Sequence, residues 1–142
     1  MSTANNKALI HRWFGTMVNG QTDLAVLLVA LDETFAPDFV DHDGPDPRNG
    51  REALRRALPL LLQALPDAHL TIEHLIAEGE MIAVRLRGQA THTGTVLNIA
   101  PTGRQIIWTE NEIFRVVDER IVESWGEGGL GDALAGIGLA FK

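Results

Sequence analysis

The chain has 142 residues, 45% of them apolar and 22% charged, with a mean hydropathy of +0.02. That balance fits one soluble globular domain, spanning residues 1–142 and long enough to bury a core. A net charge of −7 and a pI near 5.1 argue against nucleic-acid and anionic-membrane partners, both of which select basic surfaces.

The opening residues, MSTANNKALIHRW, lack the basic start and apolar core of an export signal. No apolar run approaches the ~20 residues needed to span a bilayer, so a cytoplasmic location is expected. Leu9, Ile10, Trp13, Phe14 and Met17 recur at spacings of three and four, which predicts an amphipathic helix over residues 4–18, ended by Asn19-Gly20. Thr22 or Asp23 then caps a second helix running to Leu31, apolar enough to be largely buried. FAPDFVDHD, residues 35–43, reads as extended, and a loop rich in Pro, Asp and Gly follows to Gly50. A third helix is predicted over residues 51–65, kinked or restarted at Pro59 and closed by Pro66-Asp67.

The second half reads as strands. Residues 69–78 and 81–91 flank Gly79-Glu80, a hairpin signal. Residues 92–99 continue as an extended segment, and Pro101-Thr102-Gly103 turns into a further strand pair joined at Asp118-Glu119. Side chains alternate sides along an extended chain, so Trp108, Glu110 and Glu112 share one face of the first of these strands. Glu123, Trp125 and Glu127 share one face of the second. Acids spaced two apart beside tryptophans suit the polar floor of a half-buried cavity. The glycine-rich run 126–131 reads as a flexible edge at the cavity mouth, leading to a short C-terminal helix that contains Asp132. It has neither the lysine nor the context of a phosphate loop. Helices first and strands afterwards predict an α+β fold, a curved antiparallel sheet wrapped by about three N-terminal helices around one deep cavity.

The pieces FAPDFVDHD, NGREALRRAL, LPDAHLTIEHLIAEGEMIAVR, ATHTGTVLNIAPTGRQI and IFRVVDERIVESW, with Gly138, follow one another over nearly the whole chain. In that order the sequence resembles the SnoaL-like polyketide cyclases, within the cone-shaped superfamily typified by nuclear transport factor two. The resemblance implies a largely apolar cavity, usually in a homodimer or homotetramer, and intramolecular aldol closure of a polyketide-like, hydrophobic carbonyl compound without metal or organic cofactor. It also implies an acid/base aspartate four residues after the position of Trp125. This sequence has Gly129 there, and Gly138 keeps its expected distance downstream.

Aldol closure needs a base for the proton alpha to a carbonyl and an acid or donor for the enolate. Glu110, Glu112 and Glu127 are the acid/base candidates, with Asp41 gathered beside them. Carboxylates crowded in a poorly hydrated space cannot all ionise, so one would stay protonated and supply the acid. The competing expectation pairs these acids with Arg85, Arg87 or Arg115, or leaves them in solvent. His42 in VDHD and His92 in ATHTG are assisting candidates, or histidines that fix loops. Trp108 and Trp125 are expected to line the pocket with Asp41; Trp13 and Phe14 are further substrate-side candidates, Trp13 with a strong claim to the helix–sheet core. No metal-ligand spacing is present, and no cysteine or tyrosine exists to do thiol or phenol chemistry. Without the usual aspartate, a related isomerase, dehydratase or epoxide hydrolase, a binding module without turnover, and a dimeric scaffold remain alternatives.

Overall fold

A computed structural model of the protein describes residues 2–17, 22–95 and 99–129. The predicted C-terminal helix, with Asp132 and Gly138, the first helix's Asn19-Gly20 stop and residues 96–98 of the predicted extended segment lie outside them.

Helix α1 spans Thr3–Met17 and turns Leu9, Ile10, Trp13 and Phe14 inward. Helix α2, Leu24–Thr34, begins at Asp23, whose side chain accepts the Ala25 N–H at 2.9 Å. It is only half-buried, contrary to its apolar composition: Leu27 and Leu31 are sealed while Val26 and Val29 are more than half exposed. Helix α3, Gly50–Ala64, runs as one helix through Pro59. The proline costs that turn one backbone hydrogen bond without ending the helix.

Strand β1 is Phe35–Asp41, β2 His69–Glu78, β3 Met81–Thr91, β4 Gln105–Val117 and β5 Arg120–Gly128, arranged β1-β5-β4-β3-β2 in one open sheet. The sheet is mixed. β2 to β5 form an antiparallel meander, but β1 lies parallel to β5, with Val40 beside Glu123 and Asp41 beside Ser124. A parallel partner needs a long connection, and here the whole of α3 and β2–β4 supplies it. Asp118 and Glu119 close the β4–β5 hairpin with φ of 50° and 63°, the left-handed pair that a two-residue turn requires.

The helices cover one face of the sheet. Ile82, Val84, Leu86, Phe114, Val116 and Ile121 point into it and meet Leu9, Trp13, Phe14, Leu27, Leu31 and Leu58. A second cluster gathers Ala64, Leu65, Ala68, Ala90 and Ile106 around Trp108. The Trp108 indole lies across Gly88 on the paired strand, in space that any Cβ there would occupy. Along β4, Trp108, Glu110, Glu112 and Phe114 occupy successive inward positions, so the two clusters are separated by two carboxylates.

Candidate functional site

Those carboxylates face a cavity of two adjoining chambers. The inner one, ≈ 90 Å³, has an aromatic side formed by Trp13, Phe14, Phe35, Phe39 and Phe114, with Leu54. Its other side is Asp41, Glu110 and Glu112, with Ser124 and Gly126. The outer one, ≈ 170 Å³, shares Asp41, Glu110, Glu112 and Gly126 and adds Asp43, Glu127 and Gly128. The aromatic wall is stiffly packed: Phe35 meets Trp13 and Phe39 edge to face, with ring centroids 4.9 and 4.8 Å apart.

Each acid is held differently. Glu110 accepts a hydrogen bond from the Trp108 side chain, yet burial still pushes its carboxyl up. Glu112 has no such donor among the described residues; burial, then the neighbouring Glu110 and Asp41 charges, push it to about 8. Asp41 is raised mainly by burial, against a 3.3 Å hydrogen bond from the Ser124 hydroxyl. Asp43 accepts the Gly126 N–H at 2.8 Å, and the His42 N–H reaches the Ser124 carbonyl at 2.9 Å, fastening the end of β1 to β5. Of the expected arginine partners, Arg85 is engaged with Glu73 and Arg115 with Glu123.

Trp13, Phe14, Asp41, Glu110 and Glu112 thus meet in one chamber, and Trp13 and Phe14 also belong to the core. The other candidates lie elsewhere. Trp125 stands opposite Ile113 on the uncovered face of the sheet, because Ser124 and Gly126 take the inward positions of β5. Glu127 shares that outer register, opposite Asn111, and reaches only the rim of the outer chamber. His42 is outside as well, stacked on Trp125 at 4.7 Å with 4° between ring planes and hydrogen-bonded to Glu123 at 2.8 Å. That contact lowers the Glu123 carboxyl, as does Arg115. His92 is fully buried away from both chambers, where its Nδ1 faces the Thr102 hydroxyl at 3.0 Å and backbone N–H at 3.3 Å. It fixes the loop before β4. Trp108 lies beneath the acids as a donor to Glu110, not in the chamber wall. Phe35, Phe39, Phe114 and Ser124 are lining residues that sequence reasoning missed; alternation from Glu112 to Phe114 was the available signal for one of them.

Gly129 follows β5 with φ of 106°, and a Cβ built on it would lie 3.0 Å from Glu110 Oε2. The side chain expected from the resemblance at this position would therefore point at the Glu110 carboxylate. Among the described residues, no group of three or more His, Cys, Asp or Glu is arranged to hold a metal ion.

Three helices on one face of an open, mixed five-stranded sheet, around an acid-lined chamber, make an α+β fold. The family model described as SnoaL-like polyketide cyclase matches residues 13–131, and the chain belongs to that family. Among solved structures it is similar to AclR of Streptomyces galilaeus, a candidate hydroxylase, with TM-score 0.79 and 26% identity over 96% of this chain and 83% of that one. IdmH of Streptomyces antibioticus, a candidate polyketide cyclase, matches with TM-score 0.73 and 26% identity over 94% and 98%. A SnoaL-like protein from Jannaschia shares the fold at TM-score 0.77 and 21% identity, over 96% and 93%. No curated protein is significantly similar in sequence.

Proposed function

We propose that the protein is a cofactor-free acid/base catalyst of the cyclase type, closing a ring in a polyketide-like carbonyl compound by intramolecular aldol chemistry. The observation that carries this reading is the adjacent inward pair Glu110 and Glu112 in an enclosed chamber, with Glu112 held neutral to about 8. Glu110 is the base. The Trp108 hydrogen bond favours its ionised form, so it can take the proton alpha to the carbonyl. Glu112 is the acid. Protonated, it hydrogen-bonds the carbonyl oxygen as the enolate forms, keeping its proton, and gives that proton to the alkoxide left when the new carbon–carbon bond closes. Glu110 then passes the alpha proton it took to the ionised Glu112, so each turnover begins from the same state.

Two of the family's relatives in structure bear names that differ in chemistry, hydroxylase and cyclase, so the fold by itself does not select the reaction. The test is exchange of alpha-carbon protons of an aromatic polyketide-type ketone into D2O, followed by NMR, with ring closure scored in the same sample. Glu110→Gln should slow exchange by about 10²–10⁴-fold, the usual contribution of a positioned base, while ligand affinity holds. Unchanged exchange in both Glu110→Gln and Glu112→Gln would leave a binding module as the correct reading.

A further inference from the structure

The lining of the two chambers is lopsided in charge. Asp41, Glu110 and Glu112 border the inner one, and Asp43 and Glu127 add to the outer one. Among the described residues, neither chamber is lined by a lysine, arginine or histidine. Beyond the described residues, the sequence holds a single basic side chain, Lys142. Glu112 is surrounded by protein except where it opens to the chambers, and no described residue donates a hydrogen bond to it. A buried carboxyl left without a donor is costly unless something the protein does not itself provide answers it. Opposite the acids stands an aromatic wall, led by Trp13, Phe35 and Phe39. Aromatic faces and carboxylates attract the same kind of ligand group, a desolvated organic cation.

Enolate chemistry points the same way. The reaction builds negative charge on the substrate oxygen, and an acid-lined chamber without a resident cation opposes that charge. A proton on Glu112 answers part of it; a positive charge carried by the substrate would answer the rest. Taking the chamber as the place where the reacting molecule binds, as the proposed function does, we infer that the substrate carries an alkylammonium group, which seats between the aromatic wall and the Asp41, Glu110 and Glu112 carboxyls. The inner chamber, ≈ 90 Å³, admits a small head such as a dimethylamino or trimethylammonium group. The ring-forming part of the molecule then occupies the outer chamber.

Choline and 3,3-dimethylbutan-1-ol test this, because they share a shape and differ by the charge. Titrated into the full-length protein and followed by amide NMR shifts, choline should saturate at least tenfold more tightly than the alcohol, with the largest shifts around Glu112 and Trp13. Glu110→Gln should weaken choline severalfold and leave the alcohol unchanged, whereas Glu112→Gln, which replaces a neutral carboxyl, should change the choline affinity little; the comparison on the unsubstituted protein stands even where a variant fails to fold. Equal affinity for the two probes, or choline shifts that do not saturate, overturns the inference. Turnover of a neutral ketone by a protein that ignores choline removes the charge requirement and keeps the acid/base reading. Choline binding without turnover of any carbonyl compound does the reverse.

Discussion

A single side chain carries the least comfortable position in the molecule. Glu112 is held at about 8 from an ordinary value of 4.5, first by burial and then by Glu110 and Asp41. Its folded-state pKa is raised, so between those two values the native protein binds a proton that the unfolded chain has released. Stability is therefore complete below pH 4.5 and drains away as pH climbs toward 8. Glu112→Gln removes that dependence while keeping the shape. The variant should gain stability on the order of a few kcal/mol at pH 8 and little at pH 4.5, read from urea midpoints across the pH range. Catalysis should move oppositely. On the proposed mechanism, kcat of the unsubstituted protein should fall above pH 8, as Glu112 loses the proton it would donate. A flat profile there would remove Glu112 as the acid. The neighbouring Glu110 shows how a family position is traded: with φ of 106° at Gly129 and its Cβ direction aimed at Glu110 Oε2, an aspartate there would be strained and set against a like charge. In the proposed mechanism the acid comes from β4 instead.

At the scale of elements, β5 both closes the hairpin and shapes the chamber. A methyl on Gly126 would meet Glu112 Cγ at 3.4 Å and Glu112 Oε1 at 3.8 Å, ordinary packing distances. Gly126→Ala should therefore fold and place a methyl beside the Glu112 carboxyl, raising KM more than it lowers stability; steady-state kinetics beside a thermal melt separates the two. In the turn, Glu119 holds φ of 63° without being glycine, and Glu119→Gly should stabilise by about 1 kcal/mol, since the left-handed region costs other residues roughly 1–2 kcal/mol. An unchanged melting midpoint would mean that the turn carries no such strain. Much of this was legible beforehand. The hairpin at Gly79-Glu80, the turn at Asp118-Glu119 and the shared face of Trp108, Glu110 and Glu112 all follow from local signals of period and turn chemistry. The errors come from phase. Alternation showed that Glu123, Trp125 and Glu127 share a face, but only pairing with β4, with its irregularity between Arg115 and Val116, decides that this face is the uncovered one. The β1–β5 pair joins residues more than eighty apart, and no local pattern announces it. For His92 the sequence left a chemical and a loop-fixing reading open, and its ring here bonds Thr102 of the loop before β4, a contact no local pattern announces.

For the molecule as a whole, acidic charge outweighs basic, and the described chambers carry acids without a basic lining residue. The net charge is −7, and the acids lining both chambers add their field there. Such a field draws cations toward the entrance and repels carboxylates and phosphates. Its reach in solution is limited by salt, with a screening length of about 30 Å at 0.01 M and about 10 Å at 0.1 M. Once a cation is seated among Asp41, Glu110 and Glu112, little water or salt lies between the charges, so the bound contact is screened far less. Salt should then act on arrival and not on departure. Line-shape analysis of choline titrations should show the association rate falling severalfold when salt rises from about 0.01 M to about 0.1 M, with the dissociation rate nearly constant. The uncharged alcohol of the same shape should show neither change. If the dissociation rate carries the salt effect instead, the cation is meeting the acidic rim near Asp43 and Glu127, and the inner chamber must be assigned to an uncharged part of the substrate.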